Sequence, residues 1–307
     1  MREPRHRERN RAHRAQIGTK QILTRHTSKR PGDKTSASPG RQPPRPPAAK
    51  HPPVRKQAQS PAPAFRRPSA ELAVLYGFHA VREILRSKNR KLLDIFATKA
   101  AAERLCPEIE SAGLIAHIVE SEDLARRLGA NAVHQGVMVE ARPLEPLDLS
   151  DIATRSGVIL VLDQITDPHN VGAILRTAAA FGVDALVMTE RHAPDMTGVV
   201  AKAASGGLEH VAIVSVVNLA RALEQLGDMG YLRIGLDSEA ATPFEEAPLA
   251  RPLALVLGGE GKGMRRLTRE NCDHLARLDM PGAIKSLNVS NACAVALTLA
   301  HMRLPRL

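Results

Sequence analysis

An apolar run, Leu253 to Leu257, feeds without a break into four glycines within six residues: Gly258, Gly259, Gly261 and Gly263, with Glu260 and Lys262 between them. The stretch closes on Pro281-Gly282 and the polar run Ser286, Asn288, Ser290, and a long apolar segment, Ala292 to Met302, follows. Strand, glycine turn, helix, short strand, second turn, helix: this order puts two backbone-rich loops side by side at the ends of two strands. In open α/β sheets a small ligand binds in such a crevice, outside the carboxyl ends of the strands. Glycine suits a loop whose main-chain N–H groups must be reached, and it suits tight turns of positive φ. Two familiar loops are excluded. A phosphate-binding P-loop has Ser or Thr after its Gly-Lys, and here Gly263 follows Lys262. A dinucleotide fingerprint needs an acid about 20 residues on, where this chain has the apolar Leu278.

The alternation continues upstream. Val158 to Asp163 (VILVLD) is a continuous apolar run, as in a buried parallel strand. Asp167-Pro168-His169-Asn170 is a turn with a helix start, and GAILRTAAAFG is a helix stopping at Gly182. Strands and helices then alternate over about 150 residues, which predicts a parallel sheet covered on both faces. A smaller α/β unit precedes it. Its strands are DIFAT (Asp94 to Thr98), LIAHIVE and HQGVMVEARP (His134 to Pro143), and its helices follow Tyr76-Gly77-Phe78-His79, span AAAERLCPEIESAG, and start at Ser121 as N-cap. The organisation read from this pattern is a tail over 1–70, a small α/β domain over 71–143, a linker over 144–155 and the main domain over 156–307.

Charge separates the tail from the body. Residues 1–70 hold 18 Lys and Arg against 3 Asp and Glu, together with 12 of the 22 prolines. The chain as a whole carries +11, so the body after residue 70 is slightly acidic. Such a tail cannot bury a core and reads as disordered, with an electrostatic pull on phosphate backbones or no specific partner at all. Its prolines argue against an amphipathic transit peptide. Three scattered cysteines, Cys106, Cys272 and Cys293, fit a reducing compartment without a disulfide framework or zinc site. The sequence has no 18-residue apolar run and no apolar leader, so a membrane span and a secretory signal are not expected. Aromatic residues make up 2% of the chain, too few to build a base-stacking platform.

Three polar clusters need a common explanation: Asn170-x-Gly172-x-x-x-Arg176, Gly258-Gly259-Glu260-Gly261-Lys262-Gly263, and Ser286-x-Asn288-x-Ser290. Arg176 lies nearly two turns along the helix from Asn170 and is expected to project near the same end. In order, LDQITDPHNVGAILRTAAAFG, LALVLGGEGKGM and LDMPGAIKSLNVSNA resemble the three signature motifs of the SpoU (TrmH-like) family of RNA 2′-O-ribose methyltransferases. LYGFHAVREIL and HQGVMVE resemble that family's N-terminal RNA-binding domain. The resemblance covers residues 72–304.

The resemblance implies a trefoil-knotted α/β domain that holds S-adenosyl-L-methionine. It implies Gly258, Leu278 and Leu287 as cofactor-binding positions, with Gly259 and Ser286 beside them. It implies Arg176 as the essential arginine, with Asn170, Glu260 and Asn288 completing the active site and no metal. The relatives it points to most closely methylate a guanosine ribose in large-subunit ribosomal RNA. Transfer RNA as substrate, or a non-catalytic assembly factor of the same fold, are the rival readings. Bland roles stand beside these: Asn170 as a helix cap, Glu260 as a turn cap, and one of Ser286, Asn288 and Ser290 as the cap of the last helix. His169 is an acid or base candidate by residue type alone. The last helix is apolar on nearly every face and so calls for a homodimer through it. The cytoplasm is the expected location.

Overall fold

The computed structural model describes residues 64–145, 147–152, 157–191 and 193–305. Two sheets form among them. The small domain is built from β1 (Ala73–Tyr76), α1 (Phe78–Ser87), β2 (Leu92–Ala97), α2 (Lys99–Ser111), β3 (Ala116–Ile118), α3 (Ser121–Leu128) and β4 (Val137–Ala141). Its strands are ordered β1-β4-β2-β3; β4 pairs antiparallel with both neighbours and β2 pairs parallel with β3. The main domain is built from β5 (Val158–Asp163), α4 (Pro168–Ala180), β6 (Ala185–Thr189), α5 (Gly198–Ala204), β7 (Ala212–Val216), α6 (Leu219–Asp228), β8 (Leu232–Leu236), β9 (Thr242–Pro243), β10 (Leu253–Gly258), α7 (Arg266–Glu270), β11 (His274–Arg277) and α8 (Val289–Arg303). Its seven strands run in the order β7-β6-β5-β10-β8-β11-β9, and every pairing is parallel.

The continuous apolar runs have a simple cause. Successive strand side chains point to opposite faces, and both faces here are covered. Leu160, Leu162, Leu253, Leu255 and Leu257 pack with residues of α4, α5 and α8. Ile159, Val161, Ala254 and Val256 pack with Leu219, Leu223 and Leu226 of α6 on the other side. In β5 and β10 no position is left for solvent, so the alternation of a half-buried strand is missing from those runs.

Several boundaries differ from the sequence reading. β1 and β9 were not expected: β1 is four residues long and β9 two, too short for a periodic signal. The helix expected to start on Ser121 is capped instead by Glu120, in a reciprocal box with Asp123. Of the tail expected over 1–70, residues 1–63 lie outside the described residues. The remainder belongs to the small domain. The Phe65 ring sits 4.8 Å from that of Phe96, and Arg66 pairs with Asp94 at 2.7 Å. The stretch expected to be linker also packs, burying Leu149 and Ile152 against the α6 face of the sheet.

The two domains are joined by a buried ion pair that periodicity cannot reveal. Arg90, beyond α1, donates to Glu209 through Nη2 at 2.5 Å and Nε at 3.1 Å, and both side chains are 1% exposed. Ser87 Oγ donates to the same carboxylate at 3.4 Å, and Asn89 Nδ2 donates to the Glu209 carbonyl. Desolvation offsets much of the attraction in such a pair, but removing one partner strands a buried charge. Replacing Glu209 by Ala is therefore expected to lower the unfolding free energy by about 3–5 kcal/mol, read from urea denaturation of the full chain.

Candidate active site

β10 is inserted between β5 and β8, so its carboxyl end lies beside that of β5, with Gly258 directly opposite Asp163. Here the order of strands reverses: the chain leaves β5 toward β6 on one side and returns to β10 on the other. A crevice opens at such a switch point. The expected neighbours were the loops after β10 and β11. The structure puts β8 between those two strands, and the loop after β5 takes the adjacent place.

The helix that follows β5 begins on Asp167. Its carboxylate accepts from the main-chain N–H groups of His169 and Asn170, both at 3.2 Å, and Pro168 occupies the first turn. Asp167 is the cap, so Asn170 has its side chain free. Asn288 does cap α8: its Oδ1 accepts from Ser290 N at 2.9 Å and Ser290 Oγ at 2.6 Å. That leaves its Nδ2 as a donor. It donates to Glu260 Oε1 at 2.7 Å and to Asn170 Oδ1 at 2.9 Å, and Asn170 Nδ2 donates to Glu260 Oε1 at 3.1 Å. Three residues, one from each polar cluster, thus close a hydrogen-bonded ring. An ionised carboxylate only accepts, so Glu260 decides which way both amides face.

A buried clamp holds Glu260 in place. Asp163, fully buried at the end of β5, accepts from Arg265 Nε at 2.7 Å and Arg265 N at 2.8 Å. Between them the glycine turn folds on itself: Gly263 N donates to Gly259 O at 2.9 Å. A Cβ on Gly258 would lie 2.3 Å from Gly263 C and Met264 N, and one on Gly259 would lie 2.5 Å from Gln164 O. The turn's own packing is enough to require these two glycines. The sequence reading passed over Asp163 and Arg265; the signal was an acid ending an apolar strand.

Arg176 lies elsewhere. Six residues of helix amount to about 9 Å of rise and about 600° of rotation, so it leaves α4 from a different face than Asn170. It lines a groove with His79, Arg82 and His210, and among the described residues it has no hydrogen-bond or ion-pair partner within the chain. It takes no part in the hydrogen-bonded ring. Leu278 is half-buried against the main core. Residues 281–288 are exposed throughout, including Ser286, with Leu287 40% and Ile284 76% exposed. His169 and Lys262 are exposed and stand outside the ring. Among the described residues no group of three or more His, Cys, Asp or Glu is placed to hold a metal. Burial pushes the thiols of Cys272 and Cys293 up to about 12, which removes them as nucleophiles near neutral pH. A cavity of about 1120 Å³ lies at the domain seam around Arg90 and Glu209, and no ring residue lines it.

Residues 157–298 match the SpoU rRNA Methylase family, and residues 74–147 match the domain described as RNA 2′-O ribose methyltransferase substrate binding. A 23S rRNA (guanosine-2′-O-)-methyltransferase RlmB from Vibrio vulnificus is 40% identical over 233 residues, which is 73% of this chain and 94% of that protein. Its counterpart from Yersinia pestis is 37% identical over the same length and shares. Two solved structures share the fold. AviRb from Streptomyces viridochromogenes, a SpoU methyltransferase in complex with AdoMet, has a TM-score of 0.66 at 20% identity, covering 76% of this chain and 91% of its own. The AdoMet-bound rRNA methyltransferase from Sinorhizobium meliloti has a TM-score of 0.64 at 19% identity, covering 77% and 89%.

The clamp leads to a specific expectation. Asp163→Asn weakens two charge-assisted hydrogen bonds and should cost about 2 kcal/mol of stability. Hydrogen exchange of the amides of residues 259–264 should quicken relative to those of β10, and unchanged exchange there would refute the clamp.

Proposed function

Since the chain belongs to the SpoU rRNA methylase family, we propose that the Asn170–Glu260–Asn288 ring and Arg176 are its working parts in methylating a ribose 2′-hydroxyl of RNA. The chain is an RNA 2′-O-ribose methyltransferase that uses S-adenosylmethionine, and its substrate is a guanosine of 23S ribosomal RNA. The observation that carries the assignment of residues is the ring itself: three distant polar motifs meet at one point beside the switch of the sheet.

The residues around the glycine turn fit the cofactor. Leu287 and Ile284 expose apolar surface on a loop beside the half-buried Leu278, which suits an adenine ring. The main chain of Gly258 and Gly259, with Ser286, offers polar groups for the rest. When bound, the cofactor supplies an electrophilic methyl group on a sulfonium. The protein's share is to position the sugar and manage the proton of its hydroxyl. Asn170 and Asn288 present amides whose orientation Glu260 fixes, so they can hold the ribose in one attitude. Glu260 Oε1 already accepts two N–H groups, and the second carboxylate oxygen is the acceptor left for the hydroxyl or for a water next to it. Arg176 brings a guanidinium, a group suited to a phosphate and a poor general base.

Arg176 sits on another face of α4, and α8 packs against α4. α8 still exposes Val295 (41%) and Met302 (76%). Pairing two chains through α8 would cover that surface and allow an Arg176 to serve the partner's crevice. A homodimer is therefore part of the proposal, as are the trefoil threading of the C-terminal segment, a cytoplasmic location, and a basic tail that adds salt-dependent affinity for RNA. Among the described residues no helix is long and apolar enough to cross a membrane.

Incubation with 23S ribosomal RNA and methyl-labelled cofactor should place the label in alkali-resistant dinucleotides; label on a base would refute ribose chemistry. Arg176→Ala should slow transfer by roughly 10²–10³-fold, the usual cost of removing one group that stabilises a transition state. Cofactor affinity by calorimetry should change less than about threefold if Arg176 acts only on RNA.

A further inference from the structure

The groove that contains Arg176 is assembled from both domains. His79, Arg82 and Glu83 come from α1, Arg176 from α4, and Ser205 and His210 flank a turn after α5; together they line a cavity of about 350 Å³. The turn is fitted between the two helices at closest approach. A Cβ on Gly206 (φ +100°) would lie 2.5 Å from Cβ and Cγ of Glu83. One on Gly207 would lie 2.6 Å from Leu175 O and 3.1 Å from the Arg176 Cα. Glycine at both positions lets the turn pack against α1 and α4 at once. The Arg90–Glu209 pair then locks the seam a few residues away.

The polar groups in this groove are only partly matched, with one carboxylate, Glu83, set against Arg82, His210 and Arg86. Arg82 Nε is buried without a hydrogen-bond partner, since Glu83 Oε1 stands 3.9 Å away, beyond hydrogen-bond length. Arg82 Nη2 lies 3.5 Å from His79 Nδ1, a long contact. The one carboxylate, Glu83, is shared: it lies 3.3 Å from Arg86 and 3.5 Å from His210. Arg176 has no partner within the chain among the described residues. A buried donor without an acceptor calls for one. The first turn of α1 holds no acid, and Gln135 Oε1 accepts from its first N–H, Phe78 N, at 3.0 Å.

We propose that this groove is a binding site for a backbone phosphate of the RNA substrate, held by Arg82 and His79 of the small domain together with Arg176 of the methyltransferase domain. The proposal rests on the reading that the substrate is RNA. Two guanidiniums from different domains, meeting one phosphodiester, tie the grip of the small domain to the arginine that serves the reaction. The seam is thereby a ruler: it fixes how far the strand held by the small domain lies from the strand presented for methylation.

The test is binding of in vitro transcribed 23S ribosomal RNA to the full chain by filter retention across a salt series. Arg82→Ala should weaken binding roughly tenfold and lower the slope of log affinity against log salt by about one. Arg82→Lys should restore most of the slope, and His79→Ala, at the rim, should weaken binding by a smaller factor. Arg221→Ala, an equal loss of charge on the exposed face of α6, should leave the slope unchanged. An unaltered slope in both Arg82→Ala and His79→Ala overturns the proposal, as does an Arg221→Ala effect as large as that of Arg82→Ala. If the wild-type chain binds this RNA but methylates no ribose, the reading of function fails while the slopes still decide the groove.

Discussion

The pairing of β10 with β5 is the constraint from which the rest of the site follows. It sets Gly258 opposite Asp163, and so lets one buried carboxylate reach across to Arg265 and close the glycine turn. A carboxylate with no access to water is held only by good partners, and here both oxygens have one. With the turn closed, Glu260 has one place to go. Asn170 and Asn288 come to it from the first turns of two helices that pack on the same face of the sheet. The site is thus positioned by a parallel ladder and two helix starts, all rigid elements, although its residues lie in loops.

The ring is economical in its capping chemistry. A helix start exposes main-chain donors that need an acceptor. At α4 that need is met by Asp167, which frees Asn170; at α8 it is met by one end of Asn288, which leaves the other end for the site. Asn288 therefore acts both as a cap and as a donor in the ring, whereas the cap of α4 is Asp167 and Asn170 has the ring alone. The same logic separates the glycines. Gly258 and Gly259 are demanded by main-chain contacts inside the protein, while Gly261 and Gly263, at φ +77° and +64°, are demanded by the turn. The packing and the turn each demand glycine here whether or not a ligand approaches.

The seam between the domains has a different character. It is made of a buried ion pair, a glycine turn with no room for a side chain, and a groove with unspent positive charge. An isolated Arg90 or Glu209 in a sequence looks like any surface charge, and Ser205-Gly206-Gly207 looks like the end of a helix. Their meaning depends on residues about 120 positions apart, and nothing in local pattern couples positions that distant. For the same reason the packed role of residues 64–70 was hidden. Phe65 and Arg66 sit amid prolines and basic residues, and only the ring of Phe96 and the carboxylate of Asp94 make them part of a domain.

By itself the sequence determined the class of fold. Uninterrupted apolar runs such as VILVLD and LALVLG mean strands buried on both faces, and their alternation with helices means a parallel sheet. The three polar motifs, through their resemblance to a known family, pointed to Arg176, Asn170, Glu260 and Asn288, and the last three meet in the structure. Only the tertiary structure decided the order of strands, the clamp of Asp163 on Arg265, and the separation of Arg176 from the ring. Those depend on which strand slides between which and on how far a helix turns in six residues. Such facts come from three-dimensional packing, where the lowest free energy is chosen among arrangements that a one-dimensional pattern leaves equally good.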